Sequence, residues 1–133
     1  MRAELDLVTA DGYNSGENIS RLDAEILFRE GQSLQDHQAF GKALEAYRQA
    51  AAIQPGHASI HFRMGEVLGK LGKWTEAAAS YRETIRLRPN DTEAHLNLGF
   101  VYYEMGLDTE AQAEFELAKS LGGLAKSARK MPF

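Results

Sequence analysis

The stretch from residue 58 to 91, ASIHFRMGEVLGKLGKWTEAAASYRETIRLRPND, decides the fold of this chain. Apolar residues recur at spacings of three and four in its first half and again in its second half, with Gly72 and Lys73 between them. This spacing predicts two amphipathic helices, the first of which ends at a glycine that can adopt the left-handed conformation. Pro89 lacks an amide proton and cannot continue the second helix, so the stretch is a complete helix–turn–helix unit.

The same unit recurs on both sides of this stretch with a period of 34 residues. Four kinds of residue hold equal positions in three copies, namely Gly31, Gly65 and Gly99; Ala43, Ala77 and Ala111; Tyr47, Tyr81 and Phe115; and Ile53, Leu87 and Leu121. Such a period is typical of stacked repeats, none of which can bury its apolar face alone. We expect the glycines and alanines to let two helix backbones cross closely, and the aromatic rings to fill the wider space beside them.

On these residues the chain resembles the tetratricopeptide-repeat family, with repeats at 24–57, 58–91 and 92–125. The middle copy carries the family's signature residues in their places, namely Met64, Gly65, Leu68, Gly72, Trp74, Ala77, Tyr81, Leu87 and Pro89. The resemblance implies an all-α fold, a right-handed superhelical α-solenoid of six main helices with a possible short C-terminal helix. Three residues depart from the pattern. Glu30 stands at a usually apolar position, Asp108 replaces a bulky residue, and Gly123 replaces the final proline, so the third copy should end differently.

The two ends of the chain differ in charge from the repeats. Residues 1–23 form an acidic N-terminal arm in which 10–20 is rich in turn-favouring residues, so we expect partial disorder and a helix that starts near residue 20. Residues 126–133 form a short basic tail. So little chain follows the third repeat that its apolar face needs other cover. Self-association into a homodimer, a partner protein, or further residues of a longer protein would each provide it.

Composition argues against several classes of function. Acidic residues outnumber basic ones by 19 to 15, and the resulting net charge of -4 disfavours binding to nucleic acid. The sequence has no apolar run of eighteen residues and no secretory signal pattern in its first twelve, so we expect neither membrane insertion nor export. With no cysteine in the chain, a cytoplasmic location is the prediction.

Catalytic and metal-binding patterns are weak. His57 and His61 are one helical turn apart, but no third or fourth ligand stands in register with them, and His61 and His95 occupy the same repeat position. We therefore expect these histidines to be structural. The sequence shows no phosphate-binding glycine loop, no nucleophile elbow and no convincing pair of nucleophile and base. The prediction is a protein that is not an enzyme and that needs no metal or cofactor.

The family resemblance assigns partner binding to the first helix of each repeat, which lines a concave groove. The residues of this chain at the groove positions are Phe28, Arg29, Gln32, Phe62, Arg63, Glu66, Leu96, Asn97, Phe100 and Tyr103. Their aromatic and aliphatic members would form an apolar track edged by mixed charges, which suits a partner peptide or helix with apolar anchors. The alternative is that the same side chains pack against the neighbouring helix as core.

These residues together predict a protein–protein interaction module that acts as an adaptor or assembly factor. A small cytoplasmic chaperone that resembles the three-repeat secretion chaperones is the alternative, and a self-assembling structural repeat domain comes third. Repeat proteins that clamp the C-terminal carboxylate of chaperones resemble one another in a set of Lys, Asn and Arg residues. This chain has Phe28, Gln32, Arg63, Glu93 and Asn97 in those places. Because Glu93 would repel a carboxylate, we predict that such tails are not the ligand.

Overall fold

The structure, a computed structural model, describes the backbone of residues 12–126 and the side chains of residues 20–122. Between residues 12 and 126 it has six helices, namely α1 (Gly12–Asp36), α2 (Phe40–Ile53), α3 (Ala58–Lys70), α4 (Trp74–Leu87), α5 (Thr92–Glu104) and α6 (Asp108–Lys126). No strand occurs between residues 12 and 126. The predicted all-α fold of paired helices is therefore confirmed. The chain divides after Pro55 into two compact units. The first contains α1 and α2, and the second contains α3 to α6.

The same tight turn joins the two helices of every repeat. Gly72 and Gly106 end α3 and α5 with φ angles of +74° and +79°. Gln38 occupies the equivalent position after α1 with a φ of +62°, although a residue with a Cβ atom is strained in this region. In each turn the next amide donates back to the helix, as Lys73 N does to the carbonyl oxygen of Leu68 at 2.9 Å. The chain thus reverses in the same way at Gln38 despite the less suitable residue.

The repeated glycines make room for an aromatic ring of their own repeat. A Cβ atom added to Gly65 would lie 2.8 Å from the ring of Tyr81, and one added to Gly31 would lie 2.5 Å from the ring of Tyr47. The aromatic ring predicted beside these glycines is thus present, and the atoms nearest to an added Cβ belong to that ring. The ring lies directly over the glycine because an aromatic side chain on the second helix needs the space that a missing Cβ leaves on the first.

A different contact fixes the start of α4. Trp74 packs over Gly69 of α3, where an added Cβ atom would lie 3.7 Å from the indole ring, an ordinary van der Waals distance. Ala77 and Ala78, one turn further along α4, are buried. The α3–α4 pair is therefore held at its turn by the indole and further along by Tyr81 over Gly65.

Polar contacts join the second and third repeats within the second unit. His95 of α5 is buried, with Nδ1 2.7 Å from Glu114 Oε1 of α6 and Nε2 2.8 Å from the carbonyl oxygen of Pro89. Asp91 caps α5, since its carboxylate accepts the amide proton of Ala94 at 3.0 Å. His95 therefore connects α5 to α6 and to the segment that follows α4, which is a structural role.

Both ends of the repeat region differ from expectation. Helix α1 begins at Gly12, so the prediction of a start near residue 20 is wrong. Turn-favouring residues set only a weak preference, and once residues further along are helical each added residue gains a hydrogen bond. Helix α6 is 19 residues long where α4 has 14, because no proline stands at Gly123 to interrupt it. Residues 124–126 therefore continue α6 and start no separate helix, and residues 1–11 of the acidic arm and 127–133 of the basic tail lie outside the described residues.

Candidate functional site

Seven of the predicted groove residues lie on α3 and α5 in the second unit. We call this set the α3–α5 face, and it consists of Phe62, Arg63, Glu66, Leu96, Asn97, Phe100 and Tyr103. Members from both helices converge on Tyr81 of α4. The rings of Phe62 and Tyr81 meet edge to face with centroids 5.6 Å apart, and Asn97 Nδ2 donates to the Tyr81 hydroxyl at 3.4 Å. Tyr81 therefore links residues that stand 35 positions apart in the sequence.

The environment of Tyr81 keeps its hydroxyl neutral. Burial raises the pKa of Tyr81 far above its ordinary value, and the nearby carboxylates of Glu66 and Glu93 raise it further, while the hydrogen bond from Asn97 opposes them. A tyrosine in this state is not suited to proton transfer near neutral pH. Its role is to position the side chains of the α3–α5 face that contact it.

Arg63 and Glu66 form an ion pair on the same face of α3. Arg63 Nη1 lies 3.0 Å from Glu66 Oε1, three residues along the helix. Both side chains are part-exposed, so the pair contributes little to stability. Because the two charges neutralise each other, this part of α3 presents little net charge to a partner.

Phe100 and Tyr103 are the exposed aromatic residues of the face. The exposed fractions are 40% for Phe100 and 61% for Tyr103, and Phe100 also contacts Phe115 of α6 with ring centroids 5.5 Å apart. Their exposure agrees with a groove position, and the alternative that they are core does not hold for them. Phe62 and Leu96 are half-buried, so both interpretations apply to them in part.

The remaining predicted residues, Phe28, Arg29 and Gln32, lie on α1 in the first unit. Phe28 is half-buried and contacts the ring of Tyr47 with centroids 5.8 Å apart, which repeats the arrangement of Phe62 and Tyr81. Arg29 is exposed and its guanidinium lies 3.6 Å from Glu25. The structure thus gives the first repeat a similar local arrangement.

Sequence reasoning treated Tyr81 only as a packing residue and missed its contacts with the face. A signal was present, since the ring position holds tyrosine in the first two repeats and phenylalanine in the third. A buried hydroxyl needs a hydrogen-bond partner. Tyr47 donates to Gln35 Oε1 at 2.6 Å within its own repeat, whereas Tyr81 accepts from Asn97 of the next repeat. The hydroxyl therefore predicted a polar neighbour without predicting which residue it is.

Among residues 12–126, no three potential metal ligands from histidine and the acidic residues come together. No helix in that part of the chain is both long and apolar enough to cross a lipid bilayer.

Comparison with protein families identifies the repeat. A model described as TPR repeat matches residues 70–106, and a second, described as tetratricopeptide repeat, matches residues 92–121. No curated protein sequence matches the chain.

Solved structures of similar fold include MamA, at 23% identity and a TM-score of 0.76 over 81% of this chain and 63% of that one. A structure of MamA AMB-1 matches at 28% identity and a TM-score of 0.74, over 77% of this chain and 61% of that one. The Arabidopsis OM64 TPR domain matches at 18% identity and a TM-score of 0.76, over 81% and 89% of the two chains. This chain therefore spans less than two-thirds of these two MamA chains, and its likeness to the first of them and to OM64, both under 25% identical, concerns the fold alone.

Proposed function

Because the chain is a tetratricopeptide-repeat protein, we propose that it binds a segment of a partner protein on the α3–α5 face. Proteins built from these repeats are protein–protein interaction modules, and the fold is a scaffold and not a catalytic centre. The role of adaptor or assembly factor belongs to this proposal, as does the cytoplasmic location expected from the sequence.

The observation that carries the proposal is the exposure of Phe100 and Tyr103 on a firmly supported helix. Both are large aromatic side chains that contact water on α5, while neighbouring residues of α5 are held by Tyr81, Glu114 and Pro89. Exposed aromatic residues on a rigid support are typical of residues that dominate binding energy, because little conformational entropy is lost when they bind.

The test is the double substitution Phe100→Ala/Tyr103→Ala. The intact chain, this variant and the control Leu117→Ala would each be used to capture partners, which are then identified by mass spectrometry. Leu117 is 45% exposed but lies on α6, so it matches Phe100 in exposure and differs in position. We expect capture by the wild type and the control, and loss of capture by the double variant with an unchanged circular dichroism spectrum.

Three outcomes would contradict the proposal: retained capture by the double variant, loss of capture by Leu117→Ala, or unfolding of the double variant, which would assign the two rings to the core. Recovery of one unfolding-prone client at a fixed ratio would favour the secretion-chaperone alternative. A molecular mass that grows with concentration in light scattering would favour self-association through the repeat ends.

A further inference from the structure

Two acidic residues flank the exposed aromatic residues along α5, one before them and one after them in the sequence. Glu93, Asn97, Phe100 and Glu104 follow one another at spacings of four, three and four, so they share one side of the helix. Tyr103 stands next to Glu104 and one turn from Phe100. Glu93 and Glu104 are both exposed, and neither forms an ion pair with any residue between 20 and 122.

The other charges near this stripe do not cancel the two carboxylates. Arg63 and Glu66 are paired with each other at 3.0 Å. Lys70 is exposed at the last position of α3 and forms no ion pair with Glu104. Glu93 stands one helical turn before Asn97, the α5 residue that donates to the Tyr81 hydroxyl. The stripe itself therefore carries two carboxylates without an ion pair and no basic residue, while Arg82 of α4 donates to the hydroxyl of Tyr102, next to Tyr103 in the sequence, at 3.0 Å.

We infer that the α3–α5 face binds a basic segment in which one apolar or aromatic anchor lies between two Lys or Arg residues. This inference rests on the proposed function and names the chemistry of its partner. The anchor would pack against Phe100 and Tyr103, and the two cations would pair with Glu93 and Glu104. The electron-rich faces of the two rings also favour nearby cations. An acidic segment would meet two unpaired carboxylates and would be repelled.

The helix geometry sets the spacing of the segment. At a rise of 1.5 Å per residue, Glu93 lies about 10 Å and Glu104 about 6 Å from Phe100 along the axis of α5. An extended chain advances about 3.3 Å per residue. A segment that runs along α5 would therefore carry its cations about three residues from the anchor on one side and two on the other. Both chain directions are covered by the patterns Lys-Ser-Ser-Phe-Ser-Lys and Lys-Ser-Phe-Ser-Ser-Lys.

The experiment measures binding of these two fluorescein-labelled peptides, and of matched peptides with Glu in place of Lys, by fluorescence anisotropy. We expect at least one lysine peptide to bind the wild type about tenfold more tightly than its glutamate counterpart, with the difference shrinking as salt is added. The charge-reversal variant Glu93→Lys/Glu104→Lys should reverse this preference. The control Glu110→Lys/Glu116→Lys has the same net charge but changes exposed residues of α6, and it should keep the wild-type preference.

Several results would overturn the inference: no binding of either lysine peptide up to about 1 mM, equal binding of lysine and glutamate peptides, or reversal of preference by the α6 control as well. Circular dichroism melts of both charge variants establish that they are folded. If Phe100→Ala/Tyr103→Ala abolishes partner capture while charge reversal changes nothing, the proposed function stands and the basic-segment inference fails. If neither variant affects capture or peptide binding, both fail.

Discussion

Helices α1 and α5 are the first helices of the first and third repeats, yet residues at equivalent positions on one side of them differ in solvent exposure. On α5, Ala94 and Leu98 are 0% and 2% exposed. Helix α4 packs against α5 within the second unit. The equivalent residues of α1 are Ile26, which is 62% exposed, and Glu30, which is also exposed. The same repeat position thus supports an apolar contact in one copy and contacts water in the other.

This difference shows which repeat positions act between repeats and which act within one. The position held by Glu30 and Leu98 changes from exposed and charged to buried and apolar between the two copies. Positions that contact their own repeat do not change, because Gly31 and Gly99 both face an aromatic ring of the following helix. A repeat can therefore exchange apolar for polar residues on its outer side without losing its internal packing.

The largest expected effect is at the covered position. Leu98→Ala should lower the free energy of unfolding by about 2–5 kcal/mol, because it leaves a cavity in a closely packed interior. Glu30→Ala, the matched change on α1, should alter it by no more than about 0.5 kcal/mol, because that side chain is exposed. Urea denaturation of both variants measures the difference, and equal effects would remove the distinction between the two helices.

The glycine position should give equal effects in the two copies. Gly31→Ala and Gly99→Ala each place a methyl group against an aromatic ring, so each should cost about 1–3 kcal/mol of stability by overpacking. Gly41→Ala is the control, since an added Cβ atom there has nothing within 4 Å and should stabilise α2 by about 0.5 kcal/mol. Thermal melts that showed a cost in only one of the two repeats would argue against a purely internal role.

The smallest expected effect on stability concerns the turn that follows the first helix of each repeat. Gln38→Gly relieves a strain of about 1–2 kcal/mol in the left-handed conformation, but it also raises the entropy of the unfolded chain. We expect a net gain of about 0.5 kcal/mol. The reverse change in the third repeat, Gly106→Gln, should lose a similar amount. Destabilisation by Gln38→Gly in urea titrations would mean that the glutamine side chain contributes to the turn.

Most of the fold could be predicted from the sequence because it depends on local, repeated signals. The spacing of apolar residues acts over a few residues and recurs in three copies. Gly72 and Pro89 act equally locally, and each recurs in one other copy, as Gly106 and Pro55. The start of α1 was missed because residues 12–19 have weak preferences that a neighbouring helix overrides. The extension of α6 could be anticipated in part, since Gly123 stands where the family pattern has proline.

The candidate surface was predictable in position and less so in chemistry. Spacing placed Phe100 and Tyr103 on an exposed side of α5, and the structure agrees. The hydrogen bond between Asn97 and Tyr81 joins residues of different repeats, so it depends on how α4 and α5 pack and not on any local pattern. Whether the face binds a partner stays a prediction.

Trp74 gives the middle repeat a spectroscopic label of its own. It is the single tryptophan of the chain, and it lies over Gly69 at the turn between α3 and α4. Its fluorescence therefore reports on one helical hairpin, whereas circular dichroism averages over all of the helices. Divergence between the two signals during denaturation would reveal that the hairpins melt in sequence, and coincident curves would show that they lose structure together.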